Sequence, residues 1–210
     1  MDRDRWGDGQ PWGEYAKIWI NDRKGNEAFP NSTGEDNVFL STHSGTCVKD
    51  YIKTGSNPIR GVDLGCNYGG MAYHFVNAGI EYTGIDQSEA ALEIARSKLP
   101  DLKFINSFLW DLDFKEEYDI VYIQAVLQHN IPTEQERIMP VVFNILKPGG
   151  VLNFAESTVL PKDFIPPMNS RTHDGWVDLA TRNGFKFEKS WYYNAEKIPN
   201  IYLFTKPLRS

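Results

Sequence analysis

From Pro58 onward, short apolar blocks alternate with segments of helical periodicity, and this alternation predicts strands and helices in turn. Ile59, Val62 and Leu64 suit an interior parallel strand, followed by a helix from about Gly70 to Ala78. Ile80 to Ile85 reads as a second strand, and Ser88 can cap a helix with Ala91, Leu92, Ile94 and Ala95 on one face. Leu102 to Ile105 and Tyr118 to Ile123 read as the third and fourth strands. Thr133-Glu134-Gln135-Glu136 has the capping-box form that opens a helix. Pro140 is expected to kink that helix and Lys147-Pro148-Gly149-Gly150 to end it. Val151 to Ala155 is a fifth strand, and Trp176 to Arg182 a helix closed by Asn183-Gly184. Phe185, Phe187, Trp191 and Tyr193 share one parity, which predicts a strand over 185–193 with one aromatic face, and Ile201 to Thr205 is the last strand. Strands and helices in this order make an α/β fold: a doubly wound, mostly parallel sheet with helices on both faces.

Residues 1–57 read differently. Trp12, Tyr15 and Trp19 fall at i, i+3 and i+7, one face of a helix, so this stretch is expected to be a helical extension or lid on a domain spanning 58–210. With 210 residues and 41% hydrophobic content, the chain can bury one full α/β core. A net charge of −6 and a sequence pI near 5.3 argue against a nucleic-acid binder, which normally carries a basic face. No apolar run approaches the roughly 18 residues of a membrane span, and Met1-Asp2-Arg3-Asp4-Arg5 does not lead into a signal-type apolar stretch, so a cytoplasmic protein is expected. Cys47 and Cys66 have no metal-type spacing, so two small thiols and no metal site are the expectation.

The chemistry is concentrated in Arg60-Gly61-Val62-Asp63-Leu64-Gly65-Cys66-Asn67-Tyr68-Gly69-Gly70, which runs from a strand through a glycine-rich turn into a helix. Helix N-terminal amides directed back at such a turn can hold a nucleotide. The second strand then ends in Asp86, 21 residues after Gly65, where an acid can accept two hydrogen bonds from a ribose diol. A dinucleotide fingerprint requires G-x-G-x-x-G, and no register of residues 61 to 70 supplies it. Asp63-Leu64-Gly65-Cys66-Asn67-Tyr68-Gly69 instead resembles the D-x-G-x-G-x-G motif of class I S-adenosylmethionine (SAM)-dependent methyltransferases, with Asn67 in place of the middle glycine. After Gly, Asn is the residue that best tolerates left-handed backbone geometry. Tyr118-Asp119-Ile120-Val121, Val126-Leu127-Gln128-His129 and Leu146-Lys147-Pro148-Gly149-Gly150 extend the resemblance, in order, over about residues 58 to 205.

The resemblance implies a seven-stranded, mostly parallel sheet with the last strand antiparallel and inserted beside the fifth. It also implies SAM as cofactor, held by Asp63, Gly65, Cys66, Asn67 and Gly69 of the turn, by Asp86 at the ribose, by Gln87, Ser107 and Phe108 around the adenine, and by Gln124 at the methionine end. Tyr15 would close over the cofactor, and Trp12, Trp19, Phe164 and His173 would line the acceptor site. His129, just past the fourth strand at the sheet's carboxyl edge, is the candidate base. Gln124-Ala125-Val126-Leu127 matches neither the N/D-P-P-Y signature of amide-directed methyltransferases nor the acid of the metal-dependent catechol type. The implied activity is therefore metal-independent methyl transfer to an O or N atom of a small metabolite, a sugar or amine intermediate, by a monomer or homodimer that binds neither nucleic acid nor membrane. A non-catalytic SAM-binding or partner-binding module is the alternative. A nicotinamide oxidoreductase is disfavoured by the glycine spacing.

Overall fold

The computed structural model describes residues 48–158, 168–192 and 200–209. Trp12, Tyr15, Trp19, His43, Cys47, Phe164 and Tyr193 lie outside them. Seven strands, β1 (Ile59–Leu64), β2 (Ile80–Asp86), β3 (Lys103–Asn106), β4 (Tyr118–Gln124), β5 (Leu146–Glu156), β6 (Lys186–Tyr192) and β7 (Asn200–Thr205), form one sheet in the order β3-β2-β1-β4-β5-β7-β6. β1 to β5 pair in parallel, and β7 enters antiparallel between β5 and β6. The longer helices are α1 (Ala72–Asn77), α2 (Glu89–Lys98), α3 (Pro132–Ile145) and α4 (His173–Thr181). This is the expected α/β architecture, including the antiparallel last strand.

Local signals shift several boundaries. α3 starts earlier than the Thr133 box suggests: Pro132 takes the first helical position, and Glu134 Oε2 accepts the Ile131 N–H at 3.2 Å. The helix runs on through Pro140. Thr172 caps α4 by accepting the Gly175 N–H at 3.1 Å, so the helix begins at His173 and not at Trp176. Residues 147–150 are an irregular opening of β5, in which Leu146 pairs with Tyr118 and the next regular pair is Val151 with Ile120.

The single aromatic face expected over 185–193 does not form. The register of β6 slips between Phe187 and Lys189, so the residues on either side of the slip change faces. Phe187 packs with the cluster holding Phe154 and Phe204, whereas Trp191 packs with the one holding Leu203.

Those two clusters are the two faces of the sheet. One combines Val62, Leu64, Val121, Ile123 and Leu152 with Ile138, Met139 and Val142 of α3 and Trp176 and Leu179 of α4. The other joins Ala72 and Phe75 of α1 to Ile80, Tyr82, Ile120 and Tyr122. Strands buried on both sides explain the nearly continuous apolar runs. Phe154 joins the strand and helix sides of this cluster, with ring centroids 4.8 Å from Tyr202, 5.4 Å from Phe204 and 6.1 Å from Trp176. Truncation of this fully buried ring, Phe154→Ala, is expected to cost about 3–5 kcal/mol, read as a lower urea midpoint with an unchanged slope.

Candidate functional site

The turn after β1 passes through three residues of positive φ: Gly65 (78°), Asn67 (50°) and Gly69 (82°). Asn67 therefore holds the left-handed conformation for which glycine is the usual choice. The turn is tied to β2 by Gly65 and Cys66, whose N–H groups donate to the Ile85 carbonyl at 2.7 and 3.0 Å. Asp86 completes the tie: Oδ2 accepts the Asn67 N–H and Oδ1 the Ser88 N–H, both at 2.8 Å. One carboxylate thus fastens the ends of two neighbouring strands. Burial pushes its pKa up, against the amides of Ser88, Asn67 and Gln87.

Beneath the turn lies a small polar floor. The Tyr82 hydroxyl donates to Asp63 Oδ2 at 3.1 Å. A Cβ added at Gly84 would lie 2.8 Å from both Cys66 Sγ and Tyr82 Oη, so the thiol points down toward β2. Asp63 and Cys66 therefore shape the turn from below, and Cys66 offers it only main-chain groups. Burial pushes the Asp63 pKa up to about 7, Tyr82 opposes the rise, and the Asp86 charge adds to it.

Asp86, Gln87, Ser107 and Phe108 come together at the ends of β2 and β3. Ser107 N–H donates to the Asp86 carbonyl at 3.0 Å, and Asn106 Nδ2 donates to the Asp86 and Gln87 carbonyls at 3.2 and 3.0 Å. Phe108 stacks on Trp110 at 5.1 Å with an interplanar angle of 7°. Asn106 escaped the sequence reading because an Asn at a strand end carries no pattern of its own.

On the other side of β1, the β4 exit is held by residues the sequence reading also missed. Gln124 is exposed, its Oε1 accepting from the Tyr122 hydroxyl at 3.1 Å, and Ala125 has φ +52°. Glu156, wholly buried at the end of β5, accepts the N–H groups of Val126, Leu127 and Gln128 at 3.0, 2.9 and 3.0 Å. Burial raises its pKa to about 7, opposed by those three amides. Gln128 Oε1 accepts the Ser157 N–H at 2.7 Å, and its Nε2 lies 3.3 Å from His129 Nε2. Gln135 Nε2 donates to the carbonyls of Leu127, Asn130 and Asn169, and its Oε1 accepts from Arg171 Nε at 2.7 Å. The available signal was an acid closing the strand Val151 to Ala155, in which Asn153 is the one other polar residue.

His173 sits apart from this network. It opens α4, with Nε2 2.9 Å from Ser190 Oγ and its ring 5.5 Å from that of Tyr202. Among the described residues, no group of three or more His, Cys, Asp or Glu is placed to hold a metal ion.

Asp63 gives the site a pH signature. Its carboxyl ionises near 4 in an unfolded chain but at about 7 in the folded one. Between those values the folded state binds the extra proton, so this group's contribution to stability is full below about pH 4 and is lost as pH rises through 7. Asp63→Asn, which can still accept from Tyr82, should therefore gain on the wild type by about 1–3 kcal/mol in urea titrations between about pH 5 and pH 8. A loss over that interval would mean that the folded chain holds Asp63 as a carboxylate throughout.

Comparison with known proteins agrees with this geometry. Residues 62–150 match the model of a family described as a methyltransferase domain. An uncharacterized methyltransferase of Synechocystis is 31% identical over 91 residues, covering 43% of each chain. A trans-aconitate 2-methyltransferase of Methylobacterium radiotolerans is 37% identical over 111 residues, 48% of this chain and 41% of that one. The chain thus spans about two fifths of the length of these curated relatives. In fold, it superposes on a crystal structure described as a SAM-dependent methyltransferase of Methanosarcina mazei with TM-score 0.65 and 20% identity, covering 77% of this chain and 97% of that one. Residues 62–150 thus match a methyltransferase domain, and they lie within a seven-stranded sheet whose fold is shared with a structure described as a SAM-dependent methyltransferase.

Proposed function

We propose that the protein transfers a methyl group from SAM to an oxygen or nitrogen atom of a small molecule. One observation carries this reading: Asp86 stands at the carboxyl end of β2, joined through its own carboxylate to a left-handed turn after β1, beside the point where the sheet order reverses. That is where open α/β sheets bind their ligands. The residues fit the cofactor. Asn67 Oδ1 is buried without a hydrogen-bond partner, and SAM brings donors, two ribose hydroxyls and an ammonium, to such a place. Asp86 takes the Asn67 and Ser88 amides on different oxygens, with the Gln87 amide beside them, and the roughly four acceptor positions of a carboxylate leave one for a ribose hydroxyl.

Asp86 would hold the ribose, Gln87, Ser107 and Phe108 the adenine, and the main chain of Gly65 and Gln124 the methionine end. When bound, SAM supplies a methyl group on a sulfonium, ready for in-line displacement. The chain's part is then mainly alignment, which alone supplies about 7–11 kcal/mol. His129 would take the proton of a hydroxyl or amine acceptor, worth roughly 10²–10⁴ in rate. An acceptor that is already a carboxylate needs no base, and the relatives named trans-aconitate 2-methyltransferase make that class a member of the test panel beside sugars and amines. No described helix is long and apolar enough to cross a membrane. With Asn67 holding the backbone geometry of the glycine it replaces, the motive for a non-catalytic reading is reduced.

Calorimetry with SAM tests the cofactor half of the reading. Asn67→Gly retains the turn but removes Oδ1, and should weaken binding about 3- to 10-fold, the size of one hydrogen bond; equal affinity would show that Oδ1 makes no contact with the cofactor. A panel of trans-aconitate, sugar and amine acceptors, followed by mass spectrometry, tests the transfer. His129→Ala should reduce turnover roughly 10²- to 10⁴-fold for a hydroxyl or amine and leave a carboxylate nearly untouched.

A further inference from the structure

The turn after β1 and the exit of β4 meet at one contact. A Cβ added at Gly65, where φ is +78°, would lie 2.3 Å from Val126 Cγ2, so the Val126 isopropyl group fills the space that any side chain at residue 65 would need. This contact closes the crevice between β1 and β4 at the strand ends, where the sheet order reverses. It depends on a piece of chain that does not hold its own shape. Ala125 has φ +52°, a region that a Cβ-bearing residue keeps only where surrounding contacts over-determine it.

Those contacts come from β5. The register sets Ala155 beside Gln124, and the Ala155 carbonyl accepts the Ala125 N–H at 2.9 Å. One residue further on, Glu156 Oε1 accepts the N–H groups of Val126 and Leu127 at 3.0 and 2.9 Å, and Oε2 accepts that of Gln128 at 3.0 Å. These are the first amides of the short turn Leu127–His129, which have no partner within it. Glu156 is fully buried, so an amide that loses its oxygen is not rescued by solvent.

On the reading that the main chain of Gly65 and Gln124 faces the amino-acid end of SAM, we propose that Glu156 is the positioning residue for that end: by holding the Val126 amide it keeps the Val126 isopropyl group against Gly65 and fixes the course of the chain beyond Gln124. In this role Glu156 acts through Val126 and not by contact with the cofactor. The ribose would be held separately, by Asp86 on the other side of β1. A fault at Glu156 should therefore reach the amino-acid end and spare the nucleoside.

Two ligands separate those ends. Methylthioadenosine carries the adenine, ribose and sulfur of S-adenosylhomocysteine but no amino-acid group. In calorimetry on the full chain, Glu156→Gln, which turns one acceptor oxygen into an NH₂, should weaken S-adenosylhomocysteine about 10-fold and leave methylthioadenosine within about twofold. Val126→Ala, which keeps Glu156 and all three amides, should give the same split at about 3- to 10-fold, and it carries the test if the Glu156 variant does not fold. NMR of the wild type should show a nuclear Overhauser effect between the Val126 methyls and the Gly65 Hα, weakened in Glu156→Gln. Equal losses for the two ligands would mean that Glu156 only supports the fold, and unchanged affinity for S-adenosylhomocysteine would mean that Val126 does not govern the amino-acid end. Either result overturns the proposal, as does a wild type without the Val126–Gly65 effect. A wild type that binds neither ligand overturns the cofactor reading itself, a result distinct from binding without the split.

Discussion

The structure depends on one constraint: the parallel neighbours among β1 to β5 can be joined only by crossovers that pass over the sheet. Every strand end therefore points to the same edge, and every loop with freedom to bind lies there. The chain runs outward from β1 to β2 and β3, and then returns to place β4 on the other side of β1. Crossovers diverge at that reversal, so the exits of β1 and β4 are neighbours whose helices lie in different packing clusters, α1 in one and α3 in the other. A crevice between them follows from connectivity before any side chain is considered.

Two carboxylates bound that crevice and act in the same way. Asp86 takes amides from the turn after β1 and the start of α2; Glu156 takes three from the exit of β4. Each is held at the carboxyl end of its strand, where loop amides lie outside the sheet ladder and need acceptors. Each stabilises a non-glycine residue with positive φ, Asn67 in one case and Ala125 in the other. Asp63 lies lower, under the turn, bonded to Tyr82. Desolvation raises all three carboxyls, which marks the region as one where charge is confined and not exposed.

The opposite edge of the sheet is built from similar parts. Asp119, fully buried, accepts from Thr54 Oγ1 at 2.5 Å, the Arg60 N–H at 2.7 Å and Lys147 Nζ at 3.1 Å. Lys206 Nζ donates to the Phe143 and Leu146 carbonyls at 2.9 and 2.7 Å. These ties join the loop before β1, the irregular opening of β5 and the chain after β7 at the edge away from the cleft. There each buried charge has close polar partners, and a structural role accounts for it.

Periodicity alone determined the order of strands and helices, because burial on both faces writes itself as unbroken apolar runs and burial on one face as a helical stripe. The Gly65 turn was legible for a related reason, since a backbone that must adopt positive φ leaves few residue choices, and Asp86 was legible from its place at the end of the second strand, 21 residues after Gly65. Tertiary structure decided what depends on partners distant in sequence. The faces of Phe187 and Trp191 were set by a register slip against β7, which no parity rule within one strand can foresee. Glu156 looks like an ordinary strand-end acid until β4 and β5 pair and bring the amides of Val126 to Gln128 onto it, about 30 positions away along the chain. Local geometry is encoded in local residue choice; a hydrogen bond between two strand ends exists only once the sheet has set its register.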